Sequence, residues 1–116
     1  MDRIRAEHYL PLTPVAFEVL LALADGDQHG YRIMQEVNAR AGSGAALRPG
    51  TLYRVLARLL EQFLISEVHG RPPDADERRR YYCLTPLGIE VARAEMERLS
   101  SQVDVARQRR LLMGTS

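Results

Sequence analysis

Beyond Thr85 the chain sets apolar side chains at Ile89, Ala92, Met96, Leu99, Val103 and Ala106, in alternating steps of three and four residues. That 3.5-residue repeat is the seam of a coiled coil, and a lone helix bearing it leaves the seam uncovered until a second helix packs there. Thr85-Pro86 opens the helix with a capping hydroxyl and a proline in the first turn. The helical reading extends to about Leu112, or roughly 40 Å at 1.5 Å per residue. A chain of 116 residues makes one small domain and buries only about two thirds of its unfolded surface. The expected assembly is therefore a two-fold homodimer held along that seam, with these residues as the dimerisation contacts.

Ahead of this helix the punctuation separates further segments. Leu12-Thr13-Pro14 repeats the cap-then-proline signal and leads into Val15, Val19, Leu20 and Leu23 on one helical face, up to Asp25-Gly26-Asp27. His29-Gly30 opens a short second helix, with Tyr31, Met34 and Val37 at steps of three and Ile33 beside Val37, until Ala41-Gly42-Ser43-Gly44 stops it. Pro49 to Phe63 reads as an amphipathic third helix: Leu52, Val55, Leu56, Leu59 and Phe63 form its apolar side, and Gly50, Thr51, Tyr53, Arg54, Ala57 and Arg58 its other side. Leu64 to His69 and Arg79 to Thr85 are β-leaning runs on either side of Gly70-Arg71-Pro72-Pro73-Asp74-Ala75-Asp76. That connection is too polar for a core and long for a tight hairpin, so the simplest reading is two strands and a protruding loop.

Composition removes several classes of function. The single cysteine, Cys83, excludes an internal disulfide framework and a zinc site of paired cysteines, and suits a reducing, cytoplasmic setting. No apolar run approaches the roughly 18 residues of a membrane span, and the N-terminus mixes Asp2, Arg3, Arg5 and Glu7. All 16 basic residues are arginine, which excludes Schiff-base and phosphate-loop lysines. His8, His29 and His69 fall in separate segments without metal-ligand spacing, and no serine lies in a nucleophile-elbow pattern. The chain is expected to be no enzyme and to carry no cofactor or metal.

The net charge of +1 conceals a gradient along the chain. Residues 1–44 hold four arginines against six acids, residues 45–82 seven against five, and residues 83–116 five against four. The basic middle third contains the amphipathic third helix and the run Arg78-Arg79-Arg80 at the base of the predicted loop. Helix, short helix, turn, amphipathic helix, strand, loop, strand and long helix is the order of a winged helix-turn-helix. The expected fold is mainly α with a small two-stranded β-wing: residues 1–85 form the winged helix-turn-helix and residues 86–116 the dimerisation helix and tail of one compact unit.

In that arrangement the third helix enters a DNA major groove and the wing touches the backbone or minor groove. Gly50 and Thr51 lie near its N-terminus, where backbone N–H groups and the helix dipole favour a phosphate oxygen. Arg54 and Arg58 share a face with Tyr53 at its margin and suit phosphates or guanine edges. The plainer reading is a solvated face, with Arg58 paired to Glu61 and the wing arginines neutralised by Asp74, Asp76 and Glu77. Two basic clusters on the two DNA-facing parts of one fold move the balance towards nucleic acid.

The sequence resembles the PadR-type transcriptional regulators. The resemblance rests on Leu12-Thr13-Pro14, His29-Gly30-Tyr31, Pro49-Gly50-Thr51-Leu52-Tyr53, and Arg80-Tyr81-Tyr82 followed by Leu84-Thr85 and Gly88, in that order. It implies a homodimeric winged-helix repressor on an inverted-repeat operator, released in some members by a small-molecule effector, and the short-tailed branch with one C-terminal dimerisation helix. Carried across by position, Thr51, Tyr53, Arg54 and Arg58 become recognition-helix contacts, with Tyr31 approaching the backbone from the helix before. Multidrug-sensing members stack planar drugs on a tryptophan of the long helix, and this chain has none. Two other functions fit the same residues: a thiol or metal sensor using Cys83, and a winged helix that binds only protein.

Overall fold

The computed structural model describes residues 2–41, 47–69 and 80–109. Its elements are α1 (Asp2–Glu7), α2 (Pro14–Ala22), β1 (Gln28–His29), α3 (Gly30–Ala41), α4 (Pro49–Glu61), β2 (Ile65–Glu67), β3 (Tyr81–Leu84) and α5 (Pro86–Gln108). Both cap-then-proline signals act as written: the Thr13 hydroxyl accepts from the Ala16 N–H at 3.2 Å and the Thr85 hydroxyl from the Gly88 N–H at 2.9 Å.

The core collects apolar side chains from the helices and from β2 and β3: Val19 and Leu20 of α2, Ile33 and Val37 of α3, Leu52, Leu56 and Leu59 of α4, then Leu64, Ile65, Tyr82 and Val91. A leucine fully buried in this way contributes about 1.5–3 kcal/mol relative to an exposed one. The first half of α5 belongs to this core and closes against α1, α2 and β3. Its approach is tight, for a Cβ at Gly88 would stand 2.0 Å from the Leu64 carbonyl oxygen, so no side chain fits there. Thr85 fastens the same junction, its hydroxyl donating to the Phe63 carbonyl and its N–H to the Leu64 carbonyl.

Several expectations are corrected. The sheet has three antiparallel strands in the order β1-β3-β2, with Gln28 opposite Tyr82, His29 opposite Tyr81 and Ser66 opposite Cys83. Gln28 and His29 read as the lead-in to a helix, but they pair with the free edge of β3, and a two-residue strand has no periodicity of its own to announce it. The N-terminal residues form α1, which packs on α5 and buries Ala6 completely. Helix α4 ends at Glu61, and Phe63, expected on its apolar side, adopts φ 61° and is 71% exposed. Helix α5 runs to Gln108 with Arg109 as its C-terminal cap, so it spans about 35 Å, and Leu112 lies outside the described residues.

Candidate nucleic-acid interface

Helix α4 has two unlike sides. Leu52, Leu56 and Leu59 are buried to within 2% of full enclosure, and that anchors the rotation of the helix about its axis. The opposite side is left to solvent: Tyr53, Arg54, Ala57 and Arg58 are exposed, and Thr51 is half-buried. Arg54 donates to the Thr51 hydroxyl at 3.4 Å, joining a hydroxyl and a guanidinium on one surface. Arg48, at the cap position, gives α4 no side-chain cap, and no acid occupies the first turn. A Cβ at Gly50 would meet nothing within 4 Å, so the missing side chain clears the surface instead of accommodating the fold.

Ion pairing separates the arginines into two groups. Arg40 bridges Glu18 and Glu36, Arg93 pairs with Glu90, and Arg98 with Glu95. Among the described residues, by contrast, no carboxylate pairs with Arg32, Arg48, Arg54 or Arg58. The Arg58–Glu61 pair that would have made this an ordinary solvated face does not form. Sequence reasoning missed Arg32 and Arg48, both exposed, one on α3 and one at the start of α4. Glu36 stands four residues on from Arg32, at ion-pair spacing, but it pairs with Arg40 and accepts from Gln28 instead, so no local pattern in α3 marked Arg32 as unpaired.

The remaining predicted residues fall around this face. Tyr31 is 53% exposed at the start of α3, not core, and its ring stacks with that of His29 at 6.5 Å between centroids. His29 caps α3, its Nδ1 accepting from the Arg32 N–H at 3.2 Å, and meets Tyr81 edge-on at 5.3 Å. Of the two strand tyrosines Tyr82 is buried and Tyr81 half-buried, the alternation a strand imposes. Burial pushes the Tyr82 phenol above its ordinary pKa, and the Glu67 charge adds to the rise. Arg80 is 76% exposed and faces Glu67 across a loose 3.6 Å. Arg78 and Arg79 lie outside the described residues, as does the connection from residue 70 to 79.

Along α5, Ile89, Met96 and Val103 are exposed at 39%, 56% and 40%, while Ala92, Leu99 and Ala106 are half-buried. Cys83 is half-buried, not enclosed as an apolar core residue, and its Sγ lies 3.3 Å from the Ser66 hydroxyl. Among the described residues no three His, Cys, Asp or Glu side chains gather to hold a metal ion, and no helix is long and apolar enough to cross a membrane.

A helix held by leucines, with Tyr53, Arg54 and Arg58 exposed on its outer side and set between a preceding helix and a small antiparallel sheet, defines a winged helix-turn-helix protein. Residues 19–94 match the PadR-like family of transcriptional regulators, and the chain belongs to that family, one of regulators and not of enzymes. It is 44% identical over 88 residues to an uncharacterized 37.1 kDa protein of transposon TN4556 from Streptomyces fradiae, covering 73% of this chain and 24% of that relative, so the chain spans about a quarter of its length. A transcriptional regulator from Clostridium thermocellum superposes with a TM-score of 0.65 at 29% identity, over 92% of this chain and 93% of that one. A PadR-family regulator from Clostridium difficile R20291 superposes with a TM-score of 0.68 at 24% identity, over 83% and 97%.

Proposed function

We propose that this chain is a cytoplasmic DNA-binding repressor that occupies an inverted-repeat promoter site as a homodimer. The observation that carries the reading is the outer side of α4, where no carboxylate among the described residues pairs with Arg54 or Arg58, opposite buried Leu52, Leu56 and Leu59. One α4 of each subunit enters successive major grooves about 34 Å apart, with Thr51 and Gly50 towards phosphate at the helix start and Tyr53, Arg54 and Arg58 along the groove. Tyr31 and the arginines at positions 78–80 flank it on the backbone. The α5 seam of Ile89, Ala92, Met96, Leu99, Val103 and Ala106 joins the subunits, and a small-molecule effector acts by changing the spacing of the two α4 helices. No cofactor is required.

The test is a fluorescence-anisotropy titration of duplex DNA from immediately upstream of the gene, beside a scrambled duplex, at two salt concentrations. Tight binding to the first should weaken steeply with salt, by roughly a thousandfold between about 50 and 200 mM for six to ten phosphate contacts. Arg58→Ala should cost about 1–3 kcal/mol and relax preference at one base pair. If neither that duplex nor any duplex captured from whole-genome fragments binds tightly, the reading fails.

A further inference from the structure

Gly30, the first residue of α3, is buried, and its backbone is not left-handed, so its conformation suits any residue. Alanine is moreover the better helix former. What occupies the space of its absent side chain is Tyr53 of α4: a Cβ at position 30 would stand 3.3 Å from the Tyr53 hydroxyl oxygen, 3.4 Å from Cε1 and 3.6 Å from Cζ. All three nearest atoms belong to that one ring. Tyr53 is nevertheless 56% exposed, so its ring rests on the β1–α3 junction with the other face in solvent, on the same helix as its neighbour Arg54 and as Thr51. The junction is itself stiffened, because His29 caps α3 through Nδ1 and meets the rings of both Tyr31 and Tyr81.

We propose that Gly30 is a positioning residue for nucleic-acid contact: its lack of a side chain seats the Tyr53 ring and sets the position of its hydroxyl. The inference rests on the DNA-binding reading of α4. A hydroxyl so placed donates to a phosphate oxygen, a charge-assisted hydrogen bond that a displacement of a few tenths of an ångström weakens. The cost of adding a methyl at position 30 therefore runs first through Tyr53, which supplies the three nearest atoms.

The experiment is a double-mutant cycle of Gly30→Ala and Tyr53→Ala in the full chain, read as affinity for the duplex captured from genomic fragments and as ring resonances of the tyrosines in the free protein. Gly30→Ala should weaken DNA binding about fivefold to tenfold in the wild-type background and not at all in the Tyr53→Ala background. In the free protein it should shift the Tyr53 ring signals and leave those of Tyr9 in place. Equal losses in both backgrounds, or unmoved Tyr53 signals, would overturn the proposal. Should the wild-type chain bind no DNA, the DNA-binding reading fails by itself, and the ring resonances still decide whether Gly30 seats Tyr53.

Discussion

At the scale of single residues the least expected feature is Glu95, a carboxylate 1% exposed on the helix proposed to join the subunits. It accepts from the Leu12 N–H at 3.0 Å and from the Arg98 guanidinium, so it ties α5 to the entry of α2. The Arg98 hydrogen bond holds the Glu95 carboxyl below the usual glutamate range; burial opposes this and the Leu12 N–H assists it. A depressed carboxylate adds stability that is present above its unfolded pKa, near 4.3, and is lost as pH falls through the lower folded value. Glu95→Gln should thus be less stable by about 1–3 kcal/mol at neutral pH, with a margin that narrows only below about pH 4. Urea midpoints across that range provide the check, and a margin constant down to about pH 3 would contradict the assignment. Sequence pattern did not reveal Glu95, because its partner Leu12 lies 83 positions away.

At the scale of elements the end of α4 shows how a correct period meets a local stop. The Leu64 N–H bonds to the Leu59 carbonyl and the Phe63 N–H to the Leu60 carbonyl, the paired bonds of a Schellman motif, with Phe63 in the left-handed position usually given to glycine or asparagine. Phe63 follows Leu59 by four residues and extends the apolar stripe on paper, but the helix has already closed at Glu61. Left-handed backbone costs an ordinary residue about 1–2 kcal/mol, and this ring is 71% exposed with little burial to offset that. Phe63→Asn should therefore raise stability by about 1 kcal/mol, seen as a higher thermal midpoint. A lowered midpoint would mean that the ring's contacts outweigh the backbone strain. The strands offered a similar lesson: β2 and β3 were legible from their β-branched and aromatic runs, whereas β1 exists only because β3 has an edge to pair with.

At the scale of the whole molecule the proposed dimer depends on the outer stripe of α5. Ile89, Met96 and Val103 recur every seven residues and remain exposed, while Val91 and Glu95, on another side of the same helix, are buried in the subunit's own fold. A charge at the middle of such a seam is desolvated without a partner, so Met96→Glu should convert a dimer into a monomer. Sedimentation at micromolar concentration reads the outcome, and a wild-type chain already monomeric there removes the dimer from the proposal. The same substitution should reduce DNA affinity far more than it reduces thermal stability, since two α4 helices held one helical turn apart bind as a unit.

What the sequence by itself determined is everything carried by local spacing: the capped starts of α2 and α5, the two-sided α4, the strand alternation of Tyr81 and Tyr82, and the seven-residue stripe of α5. Each follows from 3.6- or 2-residue geometry and from the hydrogen-bonding habits of Thr and Pro, which need no knowledge of distant residues. Tertiary structure alone decided which arginines pair with carboxylates among the described residues, that Glu95 is buried against Leu12, that α1 covers α5, and that Gly30 lies beneath Tyr53. Those outcomes are set by contacts between segments far apart in the chain, and such contacts leave no periodic trace in either segment.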